Sequence, residues 1–149
     1  MDSRKGSYLL VMRSERRRRV QVGKLGTIEV NIGYYLYAGS AFGSGGIKAR
    51  VSRHHKRRKP KHWHLDYLSG ALTPLEVWFT YDPVRREHDW AKLLLDQKSI
   101  KPVNGFGCSD CRCDAHFFFR QSRPKLVDFR NGISKKFPAH AEIFSAPVT

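Results

Sequence analysis

The sequence predicts an α+β domain, a small and mainly antiparallel sheet flanked by helices. Three observations lead there. Apolar residues come in short strand-sized or alternating runs over the first 38 positions, a glycine-rich loop then feeds a basic segment with helical spacing, and a strand, a helix and another strand follow. No repeat, low-complexity tract or Pro/Gly/Ser-rich linker divides the 149 residues, and 40% hydrophobic with 12% aromatic composition is enough for one core.

The elements follow in order. Ser7 to Met12 is an apolar, strand-like run. Arg19 to Val22 alternates Val20 and Val22 with polar residues before Gly23; Thr27 to Ile32 puts Ile28, Val30 and Ile32 on one face; after Gly33, Tyr34 to Ala38 is aromatic and extended. These four runs predict an antiparallel meander. Residues 39–46, Gly39-Ser40-Ala41-Phe42-Gly43-Ser44-Gly45-Gly46, are too glycine-rich for regular structure, and Ile47 to His55 carries Ile47, Val51 and His54 at helical spacing. Pro60, within Lys56-Arg57-Arg58-Lys59-Pro60-Lys61, stops that helix, and His62 to Ser69 has room for another turn or two. Leu75, Val77 and Phe79 alternate with Glu76, Trp78 and Thr80 as a strand does. Asp82-Pro83 then opens a helix, Asp82 capping and Pro83 in the first turn, which runs to about Gln97 with Trp90, Leu93 and Leu94 apolar. Pro102 to Asp114 reads as loop and Ala115 to Phe119 as a last buried strand. Residues after Arg123 are weakly patterned, so 1–122 reads as the domain and 123–149 as an extension packed on it or trailing it.

Charge narrows the partners. The 28 Lys and Arg against 13 Asp and Glu leave +15 at neutral pH, an excess most simply useful when a polyanion neutralises it and releases counterions. Nucleic acid is the leading partner, against the plainer reading of a basic soluble protein. No stretch approaches the roughly 20 apolar residues of a spanning helix, so no membrane partner is expected. The first 25 residues lack an apolar signal core, and three cysteines within six positions are too few for a secreted scaffold. A reducing cytoplasm is the expected location.

Four constellations could carry chemistry. Tyr8 opens the first strand and Tyr37 ends the fourth beside the glycine loop, where a phenol can relay a proton and backbone N–H groups can approach a phosphate; the plain alternative is aromatic packing. Arg50 and His54, four apart, share a helix face and join a fixed cation to an imidazole, against a merely solvated basic face. Glu87, Glu76 and Asp66 are candidate magnesium ligands, since one carboxylate with water and phosphate can suffice, and for Glu87 the alternative is a surface pair with Arg85 or Arg86. Cys108, Cys111, Cys113 and His116 are a candidate structural zinc set, although the single-residue gap between Cys111 and Cys113 suits one tetrahedral centre poorly. His62 or His64 could complete the set; the alternative is buried thiols with His116 in the core.

Gly6-Ser7-Tyr8, then Gly33-Tyr34-Tyr35-Leu36-Tyr37-Ala38-Gly39-Ser40-Ala41, then Arg50 and His54 together resemble the GIY-YIG nuclease superfamily. Residues 43–54, the run His62-Trp63-His64-Leu65-Asp66-Tyr67 and residues 105–113 are similar to its Uri branch, so the likeness spans most of residues 6–119. Ser7 and Ala38 stand where the isoleucines that name the motif would stand, and the hairpin Arg19 to Ile32 lengthens the usual spacing. The resemblance implies that Tyr8 and Tyr37 are the signature tyrosines, Arg50 the helix arginine, and Glu87 the metal-binding glutamate with Glu76 in reserve. That branch occurs alone or fused to endonuclease III-like glycosylases, which implies DNA processing.

The expectation is therefore an endonuclease that hydrolyses nucleic-acid phosphodiester bonds with Mg2+ or Mn2+ at Glu87. Tyr37 or Tyr8, assisted by His54, helps activate water, and Arg50 stabilises transition-state charge. Lys48, Arg53, Lys56, Arg57, Arg58, Lys59 and Lys61, with Arg16 to Arg19, grip flanking phosphates without reading sequence. The competing expectations are a non-catalytic nucleic-acid-binding module and a zinc-stabilised RNA- or ribosome-associated protein.

Overall fold

A run such as Leu9-Leu10-Val11-Met12, apolar at every position, suits a strand covered on both faces, at the centre of a sheet. The computed structural model of the chain, which describes residues 1–23, 26–55, 67–68, 70–103 and 116–148, puts it there. The elements are β1 (Gly6–Ser14), β2 (Arg18–Val22), β3 (Gly26–Val30), β4 (Gly33–Ala41), α1 (Gly46–His55), β5 (Thr73–Thr80), α2 (Glu87–Leu95), β6 (Ile100–Pro102), β7 (Phe117–Arg120), α3 (Leu126–Lys136) and β8 (Phe144–Pro147). Six strands form an antiparallel sheet in the order β6-β7-β4-β1-β5-β8, so β1 lies between β4 and β5. The protein is an α+β fold.

Strand alternation sorts the sheet residues onto two faces. Tyr8, Leu10, Met12, Tyr35, Val77, Phe79 and Phe117 pack with Ile47 and Val51 of α1 and with Val22 and Val30 of the β2–β3 hairpin. Leu9, Val11, Leu36, Ala38, Trp78 and Phe118 pack with Trp90, Leu93 and Leu94 of α2 and Phe129 and Ile133 of α3. No helix among the described residues is long and apolar enough to cross a membrane.

The structure corrects four local expectations. The first four strands are not a meander: β1 pairs with β4, and β2 and β3 form their own two-stranded sheet laid over one face. Alternation in β2 and β3 reports one buried side, which an inserted hairpin and a sheet neighbour both satisfy. β4 continues through Gly39 and Ser40 to Ala41 rather than ending at Ala38. Asp82 caps a turn instead of a helix: its Oδ1 accepts from Val84 N–H at 2.9 Å, and α2 begins five residues later, after Arg86 donates its N–H to Ser7 Oγ at 2.9 Å. Finally, the weakly patterned end contains α3 and an edge strand, β8.

Polar bonds tie that edge down. Thr80 Oγ1 donates to the Glu142 carbonyl at 2.9 Å, and Asp82 Oδ2 accepts from Ala141 N–H and Arg86 Nε, each at 2.9 Å. Trp90 Nε1 donates to His140 Nε2 at 2.9 Å and stacks on its ring. The expected turn over 62–69 falls outside the described residues except for Tyr67 and Leu68, which form a short turn.

Candidate active site

The register of β1 on β4 sets Tyr8 opposite Gly39. A Cβ on Gly39 would lie 2.4 Å from Tyr8 Cζ and 2.5 Å from its hydroxyl, so the absence of a side chain there seats the phenol. Gly6 is required for a similar reason, because a Cβ would meet the Thr80 carbonyl at 1.9 Å. Gly39 thus leaves room for the ring of Tyr8 on the neighbouring strand, and Gly6 lets β1 lie close to β5.

Tyr8 is 1% exposed and its hydroxyl lies 2.8 Å from His54 Nε2. Half-buried Tyr37 closes a triangle of rings, 6.5 Å from Tyr8 and 5.8 Å from His54 between centroids, with Tyr8 and His54 at 5.6 Å. Two strands and a helix distant in sequence therefore deliver three proton-carrying side chains to one spot. Arg50 lies one turn before His54 on α1, half-buried, with Nη2 against the glycine loop at Gly43. Arg53 is half-buried and Lys48 exposed on the same helix.

The loop does not offer the helix N–H groups to a phosphate as the glycines suggest. Ile47 N–H donates to the Arg4 carbonyl and Lys48 N–H to that of Asp2, both at 3.0 Å, while Gly46 and Ala49 N–H bond to Gly43 and Gly45. Gly46, at φ 59°, is where this N-terminal arm passes, since a Cβ would lie 2.1 Å from the Ser3 carbonyl. The arm is held by Tyr81, whose hydroxyl accepts from Asp2 N–H at 2.9 Å and whose ring lies 3.8 Å beneath the Arg4 guanidinium.

On the other side of β4, Ala38 N–H donates to the His116 carbonyl at 2.9 Å, one residue past Tyr37. His116 is 4% exposed, with Nδ1 3.7 Å from Glu87 Oε2. Glu87 is the first residue of α2, its side chain 15% exposed, and its Oε1 lies 3.8 Å from His88 Nε2. The His88 and His116 rings meet edge to face at 5.4 Å. Burial, and after it the neighbouring His88, holds His116 below the ordinary imidazole value and so favours its neutral form.

The carboxylates separate by their partners. Arg86 is engaged by Asp82 and Asp89 at 2.9 and 3.1 Å, and Arg85 by Ser40 and the Phe42 ring, so those cations have commitments besides Glu87. Glu76 has both oxygens bound, one by Trp78 Nε1 at 2.6 Å and one by Arg123 at 2.8 Å, which makes it a surface pairing residue. Glu87, its side chain 15% exposed between two imidazoles, has the donor chemistry for a divalent ion. Among the described residues, no group of three or more His, Cys, Asp or Glu side chains is placed to hold a metal.

Lys56, Arg57, Arg58, Lys59 and Lys61, Cys108, Cys111 and Cys113, and His62, His64 and Asp66 lie outside the described residues. His116, grouped with the cysteines by sequence, stands against Glu87. The pattern also passes over His88 and the anchoring Ser7, because neither shows a periodicity that marks its partner; both depend on how α2 docks against the sheet.

A family model described as a domain of unknown function, DUF123, matches residues 7–138. Neither a curated protein nor a solved structure matches the chain.

Proposed function

We propose that this chain, which belongs to the family of the domain of unknown function DUF123, is a metal-dependent endonuclease of the GIY-YIG superfamily and its Uri branch, hydrolysing phosphodiester bonds in DNA. The observation that carries this reading is the meeting of Tyr8, Tyr37 and His54, with Tyr8 hydroxyl and His54 Nε2 at 2.8 Å. Core packing alone does not call for two phenols and an imidazole joined by a buried hydrogen bond beside an arginine.

The parts then have distinct tasks. Tyr37 is the more open phenol, so it faces the attacking water and takes up or passes on its proton. Tyr8 and His54, buried and hydrogen-bonded, hold the second relay position and orient each other. Arg50, always charged, stabilises the negative charge that grows on the phosphate. Glu87 would hold a divalent ion, which would supply Lewis-acid stabilisation of the negative charge on the phosphate. Lys48 and Arg53 extend the positive surface from α1, and the +15 net charge draws in the backbone of the substrate.

A cleavage screen over duplex, single-stranded and branched DNA and over RNA, with Mg2+ or Mn2+, tests the reading against Glu87→Gln. Metal-dependent cutting by wild type that the variant lacks supports it. Binding without cutting under every condition moves the assignment to the second reading, a non-catalytic nucleic-acid-binding module, which the charge alone favours.

A further inference from the structure

We infer that His116 is a second protein ligand, through Nδ1, to the divalent ion of Glu87, and that the site takes a cation accepting imidazole nitrogen, manganese ahead of magnesium. The inference rests on the proposed endonuclease reading and deepens it.

The geometry carries it. Glu87 Oε2 and His116 Nδ1 are 3.7 Å apart, too far for a hydrogen bond. Two neighbouring donor atoms of a six-coordinate ion, each about 2.1 Å from the metal and about 90° apart, are separated by about 3.0 Å, so this pair would close by about 0.7 Å to hold one ion. A 4%-exposed imidazole facing a carboxylate oxygen at 3.7 Å puts both donors within a small side-chain adjustment of one shared metal. His116 is also held in position: its carbonyl accepts from Ala38 N–H at 2.9 Å, and the His88 ring packs edge to face against its own. Its strand neighbour Phe117 pairs with Tyr37 in the β4–β7 ladder, which fixes the backbone on either side of His116. Two protein ligands leave the other positions of a six-coordinate ion to water and phosphate. Oxygen-only sites suit magnesium, whereas an imidazole adds affinity for manganese and later first-row metals.

The test uses Mn2+ bound to the full chain, with no substrate present. Pulsed electron paramagnetic resonance should show the 14N modulation of a directly bound imidazole in wild type and in His88→Asn, and its loss in His116→Asn. Mn2+ affinity should fall about tenfold or more in His116→Asn, with Mg2+ affinity, read by competition, changing less than about threefold. Should His116→Asn fail to fold, His116→Gln, which keeps a polar side chain of similar reach but no imidazole, gives the same decision by the same modulation. Mn2+ that binds, is lost in Glu87→Gln and shows no nitrogen modulation overturns the inference while the endonuclease reading stands. Modulation lost in His88→Asn but kept in His116→Asn also overturns it. Wild type that binds neither Mn2+ nor Mg2+ overturns the inference, and the cleavage screen alone then decides the endonuclease reading.

Discussion

At the scale of single residues, Gly39 is the most sensitive position of the site although it carries no functional group. A Cβ there would sit 2.4 Å from a Tyr8 ring that is buried and hydrogen-bonded, so the ring has no free space to yield. Gly39→Ala is expected to push the phenol off His54, costing about 1–3 kcal/mol of stability as overpacking does and abolishing cleavage, with thermal melting and a cutting assay as the checks. Tyr8→Phe keeps the ring and deletes the buried bond. Arg50→Ala differs in kind, since a half-exposed cation adds little to folding: cutting should fall by about 3–4 kcal/mol, roughly a hundredfold to a thousandfold, at a nearly unchanged melting temperature. Glu87→Gln should lose metal-dependent cutting while nucleic-acid binding persists, measured by a gel-shift titration beside the cleavage assay. If Glu76→Gln instead is the dead variant, the carboxylate has been misassigned.

At the scale of elements, the turn between β5 and α2 decides where Glu87 stands. Asp82, 3% exposed, accepts bonds from Val84 and Ala141 N–H and from Arg86. It thereby ties the start of α2 to the segment that enters β8. Burial is the largest influence on its carboxyl and pushes it upward, but the two backbone N–H bonds and the Arg86 guanidinium outweigh it and hold the group below its ordinary 3.8. A carboxyl depressed by folding contributes stability that is present above its unfolded value and is lost as pH falls through the folded one. Wild type should therefore lose stability in acid below about pH 4, and Asp82→Asn should show a shallower acid limb in urea titrations. Asp82→Ala leaves a nearly buried guanidinium and the Ala141 N–H without this partner, and should cost about 3–5 kcal/mol at neutral pH.

For the whole molecule, +15 is the controlling quantity. Binding to duplex DNA should weaken with salt, with a log-log slope of about −0.9 per phosphate neutralised and little sequence preference. Helix α1 carries Lys48, Arg50 and Arg53, and the β2–β3 hairpin exposes Arg19 after Arg16 and Arg17. Replacing Arg57, Arg58 and Lys59 together by Ala should flatten the slope and weaken binding similarly for all sequences, as a salt series by fluorescence anisotropy would report. Affinity unchanged between low and moderate salt would remove the electrostatic account.

Local pattern determined the class of this protein and most of its pieces. The uninterrupted run Leu9 to Met12, the alternation of Leu75, Val77 and Phe79, and the spacing of Ile47, Val51 and His54 each record a neighbourhood within a few residues, and each became the element it indicates. The residue types at Tyr8, Tyr37, Arg50 and His54 were legible for the same reason, since motif and element coincide there. Tertiary structure decided the rest. Alternation in β2 and β3 records a buried side but not what buries it, so their departure from the main sheet was invisible. Asp82-Pro83 carries a helix-start signal whose range is two residues, yet the start of α2 depends on Ser7, in the first strand. His116 sits beside three cysteines in sequence and beside Glu87 in space, because the β4–β7 ladder fixes its carbonyl against Ala38. Contacts between segments dozens of residues apart leave no period in the chain, and the ladder that makes them exists only once the sheet has formed.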